Sequence, residues 1–95
     1  CSSHVGMIGG AQELTLHPNC RKKQQIIVHE LGHAIGMIHE HQRPDRNDYV
    51  VIKQENAMDN TAADFRMYSW NVINSHSVQY DYQSIMHYGG TVSSC

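Results

Sequence analysis

Polar and apolar residues alternate along Gln12-Glu13-Leu14-Thr15-Leu16, the period-two pattern of a half-buried strand. Strand signals run through residues 4–16 and are interrupted at Gly9-Gly10. Pro18-Asn19 predicts a turn. The period then changes. Ile27, Leu31, Ala34 and Ile35 recur at helical spacing, which predicts a helix from about Arg21 to Ile35 with those residues as its core stripe. Beyond His39 the chain is polar and without a sustained period. Tyr49-Val50-Val51-Ile52 reads as a short strand or a loop, and residues 61–69 as a short helix followed by Trp70 as a core anchor. There is no internal repeat and no low-complexity linker. The natural division falls near His39: residues 1–39 form an upper part of strand and helix, and residues 40–95 a lower, mostly irregular part.

The polar side of the predicted helix is the unusual one. Residues 29–39 read His29-Glu30-Leu31-Gly32-His33-Ala34-Ile35-Gly36-Met37-Ile38-His39. At about 3.6 residues per turn, His29 and His33 stand one turn apart on one helix face. Both imidazoles can therefore reach one metal ion at roughly 2.0–2.1 Å. Glu30 lies on the adjoining face, placed to reach a water on that metal. An unbroken helix would carry His39 ~15 Å along the axis from His29. Gly36 removes that obstacle, because glycine accepts the left-handed backbone that ends a helix and lets the chain turn back. Three neutral imidazoles and one open position describe a catalytic zinc site rather than a structural one. A bare His-Glu-x-x-His also occurs on solvated helices; Gly36 and His39 at the two further positions favour the metal.

A chain of 95 residues supports one domain, and a net charge of -2 with 17% charged residues describes an ordinary soluble surface. No basic face points to nucleic acid. No apolar run approaches the ~20 residues that span a bilayer. No leader segment is evident, which reads as a mature or trimmed product. The cysteines are Cys1, Cys20 and Cys95, none in a Cys-x-x-Cys pattern beside the histidines, so ligation by histidine alone is favoured. An odd count leaves at least one cysteine without an intrachain partner. His4, His17, His41 and His76 lack a spacing that reaches the metal and read as surface residues. His87, beside Met86, stays open between a surface role and a role supporting the metal site. Arg43, Asp45 and Arg46 read as a structural charge cluster.

Near the C-terminus, Ser84-Ile85-Met86-His87-Tyr88 matches the methionine turn of the metzincin proteases. The stretch after the third histidine is His39-Glu40-His41-Gln42-Arg43-Pro44-Asp45-Arg46-Asn47. With Val5-Gly6-Met7-Ile8-Gly9-Gly10-Ala11-Gln12-Glu13-Leu14 upstream and Tyr80-Asp81-Tyr82-Gln83 before the turn, the chain resembles the astacin family of secreted zinc endopeptidases. Met37 stands where the family usually has Phe, and Asn47 where Asp is usual. The family's catalytic domain is longer at both ends, so the resemblance implies a fragment of an α+β, zincin-like catalytic domain.

The resemblance implies one zinc ion per chain, held by His29, His33 and His39, with Tyr88 as an additional ligand at rest. It gives Glu30 the role of general base. Tyr88 also becomes a hydrogen-bond donor to the developing oxyanion. Glu40 is not expected to bind zinc. A protein or peptide substrate would lie extended along residues 4–8 and add a strand by main-chain hydrogen bonds. The family pattern joins Cys1 to Cys20 and leaves Cys95 free, linked to another chain, or left over from truncation. Disulfide use goes with secretion. Two alternatives stand beside the endopeptidase: an inactive zinc-binding fragment, and an enzyme of another metzincin class. Intact Glu30 supports the endopeptidase, and the His-Glu-x-x-Arg continuation with Tyr88 opposes another class. In the family a larger sheet covers the zinc helix, so the stripe of Ile27, Leu31, Ala34 and Ile35 is expected to lack part of its partner surface.

Overall fold

A computed structural model describes residues 1–56 and 62–89. The chain divides into two compact units, Cys1–Ile38 and a second that begins at His39.

In the first unit, β1 (Ser2–Ser3) pairs antiparallel with β2 (Leu14–Thr15), Ser2 opposite Thr15 and Ser3 opposite Leu14. The strand expected over residues 4–16 is thus reduced to its last part. Gly6, Gly9 and Gly10 take φ values of +75°, +89° and +66°, which no extended ladder accommodates. The intervening loop is closed by Gln12, whose Nε2 donates to the Gly6 carbonyl at 3.1 Å and whose Oε1 accepts from the Ile8 amide at 3.3 Å. A disulfide joins Cys1 to Cys20, with Cα atoms 6.1 Å apart. The predicted turn at Pro18-Asn19 is present, closed by Cys20 and Arg21 amides on the His17 carbonyl at 3.1 and 3.0 Å. Further turns occupy residues 21–22, so α1 runs Gln24–Ala34 and begins later than predicted.

The buried residues of α1 are His29, Glu30, Gly32 and His33. The predicted core stripe is not a core here. Leu31 and Ile35 are 50% and 80% exposed, and Ile27 and Ala34 are half-buried. Two strands of two residues each offer too little surface to cover an apolar helix face.

The second unit holds only single turns of 3-10 helix among its described residues: Glu40–Gln42, Arg46–Asp48, Gln54–Asn56 and Ala62–Phe65. Residues 49–52 are loop rather than strand. The helix expected over 61–69 is the single turn Ala62–Phe65, and residue 61 lies outside the described residues. Trp70 is 51% exposed and does not anchor the core; Phe65, Tyr80 and Met86 do, at 6%, 6% and 2% exposure. With the helix ending at Phe65, it is this ring that reaches inward, 5.7 Å from His41 and 6.4 Å from Tyr88 between centroids. Tyr80 stacks on Tyr49 at 4.6 Å and 6°.

His41, expected at the surface, is fully buried. Its Nε2 bonds the Asp64 carbonyl at 2.7 Å, and its ring stacks on His39 at 5.3 Å. Burial lowers the His41 pKa, against the opposing effect of the Asp64 hydrogen bond. Arg43 builds the charge cluster. Its Nε and Nη2 donate to both Asp45 oxygens at 3.0 and 2.9 Å, its Nη1 to Glu40 at 3.2 Å, and its Nη2 also to the Val78 carbonyl at 3.0 Å. Arg46 spans a different gap, donating to the His41 carbonyl at 3.2 Å and to the Phe65 carbonyl.

Candidate metal centre

Helix α1 ends in a Schellman motif. The Met37 amide donates to Gly32 O and the Gly36 amide to His33 O, both at 2.9 Å. Gly36 carries the motif with φ +105°, the left-handed region where a side chain is strained. The same turn brings the Met37 carbonyl to the His33 ring, 2.8 Å from Nδ1. A carbonyl only accepts, so Nδ1 carries the proton and Nε2 keeps its lone pair. This is how a metal-binding imidazole is commonly fixed in one tautomer by a partner on its other nitrogen. The Gly36 turn therefore ends the helix and orients one of its histidines.

The three histidines singled out by spacing come together. His29, His33 and His39 offer ligand nitrogens that all lie within 4.8 Å of one another, His29 and His33 being buried and His39 half-buried. The His29 and His33 rings meet edge to face at 4.7 Å and 90°. Three imidazole nitrogens this close together suit a zinc ion. The pinned tautomer of His33 fits the same ion. Glu30, on the same helix, is buried at 3% exposure.

The residue pattern after the triad also has a place in the structure. Ile85 and Met86 lie in a turn, with Met86 buried at 2% exposure. The Glu40 amide, one residue past His39, donates to the Met86 carbonyl at 2.9 Å. The Glu40 carboxylate accepts from the Asp81 amide at 2.9 Å. One residue thus fastens both ends of the 81–86 segment. Tyr88 follows the turn, half-buried, its ring 4.4 Å from His39 and 4.2 Å from His41 between centroids. Sequence spacing did not find the bonds of His87 to Tyr80 and to the Tyr88 carbonyl, at 2.7 and 2.6 Å. The only signal in the sequence was the position of His87 between Met86 and Tyr88.

The family profile described as Astacin, a peptidase family, matches residues 1–95. Among curated proteins, Protein SpAN of Strongylocentrotus purpuratus is 44% identical over 91 residues, covering 95% of this chain and 15% of that protein. Zinc metalloproteinase nas-14 of Caenorhabditis elegans is 43% identical over 88 residues, covering 93% of this chain and 18% of that protein. Among solved structures, High choriolytic enzyme 1, a hatching enzyme zinc-protease from Oryzias latipes, superposes with a TM-score of 0.87 at 43% identity. That match covers 94% of this chain and 43% of the other. The chain therefore spans less than a fifth of these two curated relatives and under half of the solved one. The architecture is that of part of a zincin-like α+β catalytic domain, as the sequence implied. With the profile matched over its whole length, the chain belongs to the Astacin family of peptidases.

Proposed function

We propose that the protein is a secreted zinc-dependent endopeptidase, and that residues 1–95 are part of its catalytic domain. Residues 1–39 supply the strands and the zinc helix, and residues 40–95 the methionine turn. The single observation that carries this reading is the convergence of His29, His33 and His39, with ligand nitrogens within 4.8 Å of one another. These residues would hold one zinc ion per chain, and Tyr88 would serve as an additional ligand at rest. A bound zinc ion supplies a water acidified toward pKa ~7 and polarises the carbonyl to be attacked.

The chain's own groups do the rest. Glu30 takes the proton from the attacking water and passes it to the departing amine. Its burial, at 3% exposure, keeps the carboxylate out of bulk solvent, where a proton would exchange away. The Tyr88 hydroxyl donates a hydrogen bond to the substrate oxygen as charge develops there. The expected strand addition along residues 4–8 does not fit the loop found there, because Gly6 has φ +75° and Gln12 already bonds the Gly6 carbonyl and the Ile8 amide. The Cys1–Cys20 disulfide supports secretion, because such bonds persist in oxidising compartments. No described helix is long and apolar enough to cross a membrane.

In the full-length protein, Glu30→Gln retains zinc by elemental analysis and loses roughly 10²–10⁴-fold in turnover of a generic protein substrate. Glutamine keeps the shape but cannot take the proton. Near-normal turnover in a zinc-replete Glu30→Gln protein overturns the general-base role. Native protein without tightly bound zinc overturns the metal site.

A further inference from the structure

We propose that His87, locked by Tyr80, is a positioning residue that fixes the main chain at Tyr88 and thereby aims the Tyr88 phenol. The inference rests on the catalytic reading of Tyr88 given above. Tyr88 lies outside any helix or strand, so no regular ladder sets its orientation. His87 supplies a substitute. Its Nδ1 lies 2.6 Å from the Tyr88 carbonyl oxygen and its Nε2 lies 2.7 Å from the Tyr80 hydroxyl. The carbonyl can only accept, so Nδ1 bears the proton. Nε2 is then the acceptor, and the Tyr80 hydroxyl must donate to it. The carbonyl alone fixes the tautomer, and the Tyr80 hydroxyl, able to donate or accept, donates to the nitrogen left without a proton.

Tyr80 is a firm base for this chain of bonds. It is buried at 6% exposure, stacked on Tyr49 at 4.6 Å, and has the Arg43 guanidinium 5.6 Å from its ring centroid. Burial first, and then the Glu40 charge, push its pKa up to about 12, so it remains a hydroxyl and a donor at any working pH. The order therefore passes from a buried tyrosine, through a single imidazole tautomer, to the carbonyl of Tyr88. The ring of Tyr88 rests 4.4 Å from His39. A catalytic donor must be held within a fraction of an ångström of its productive place, which is what such a support supplies.

The test is a mutant cycle in the full-length, zinc-loaded protein. His87→Phe keeps the volume and removes both bonds; His87→Asn keeps a donor near the Nδ1 position; Tyr80→Phe removes only the hydroxyl. His87→Phe should lower kcat about tenfold with KM and zinc content within about twofold, and His87→Asn should restore most of the loss. Tyr80→Phe should fall between them, and it stands in if His87→Phe does not fold. In a Tyr88→Phe background, none of these changes should lower kcat further, because a residue that acts through Tyr88 has nothing left to aim. A second readout is the phenolate-to-copper(II) charge-transfer band of copper-substituted protein, which His87→Phe should shift or weaken and His87→Asn should leave in place.

Equal losses in both backgrounds, or a raised KM with unchanged kcat, overturn the positioning role. If Tyr88→Phe keeps full turnover, the catalytic reading of Tyr88 fails, and the copper band decides positioning: a shifted band upholds it and an unmoved band overturns it. No effect of Tyr88→Phe on either readout overturns both.

Discussion

The helix that carries His29 and His33 and the irregular chain after His39 are ordered by opposite means. Helix α1, Gln24–Ala34, is held by its own main-chain bonds and closed by the Schellman turn at Gly36. It buries histidines and a glutamate while Leu31 and Ile35 stand exposed. The chain after His39 has no regular element longer than one turn among its described residues, yet it buries Phe65, Tyr80 and Met86. Its order comes from side chains that bond distant main chain. Arg43 reaches the Val78 carbonyl, Tyr82 the Tyr49 carbonyl, Arg46 the Phe65 carbonyl, and Glu40 the Asp81 amide. A regular helix sets the register of its side chains whether or not its apolar face is covered. Irregular chain keeps its shape only while its polar anchors last.

That contrast makes single anchors costly in the second unit and single apolar residues cheap on α1. The largest expected effect is at Arg43. Arg43→Met keeps much of the stem's volume and strips the fork from Glu40, Asp45 and Val78. Hydrogen bonds to charged groups are worth about 1.5–3 kcal/mol. Asp45 keeps 24% side-chain exposure and can be partly rehydrated, so a loss of about 2 kcal/mol is expected from denaturant midpoints. The guanidinium is charged throughout, its pKa raised first by the Asp45 bond. A change under about 0.5 kcal/mol, the range of a bland surface substitution, would show that the Arg43 fork does not hold the second unit together.

An effect that is absent at neutral pH separates the units. The Tyr80 pKa is raised by burial from about 10 to about 12, so the folded state keeps a proton that the unfolded chain releases. Stability is therefore unaffected by this group below about pH 10 and falls as pH rises toward about 12. Alkaline denaturation of the wild type should show that slope, and Tyr80→Phe should remove it. An unchanged slope would mean that the hydroxyl is not desolvated.

The smallest effect is expected on α1. Ile35 is 80% exposed, so Ile35→Gln in residues 1–95 should alter stability by no more than about 0.5 kcal/mol. A loss of about 1 kcal/mol or more would reveal that this face is covered in solution, and would place it with the buried residues of the second unit.

What depends on local geometry is legible along the chain. The one-turn spacing of His29 and His33, the helix stop at Gly36 and the turn at Pro18-Asn19 all follow from neighbours a few residues apart. The return of His39 to the other histidines was legible because a left-handed glycine ends the helix and lets the chain turn. The family pattern carried the Cys1–Cys20 pair, which spacing alone left open. Tertiary structure decided the rest. Periodicity marked Leu31 and Ile35 as core, but burial needs a covering partner, and the pattern of one segment does not contain it. Period was lost altogether beyond His39, so Phe65 could not be told from Trp70 as the anchor. His41 reads as one polar residue among others, and only a bond to Asp64, 23 positions away, puts it inside. The Glu40 clamp closes over 41 positions, and the Tyr80–His87 bond joins side chains seven apart in a stretch with no helix to align them. Contacts of that kind exist only once the chain has closed its loops, which is why residue spacing located the candidate metal ligands and the folded chain alone revealed what holds Tyr88.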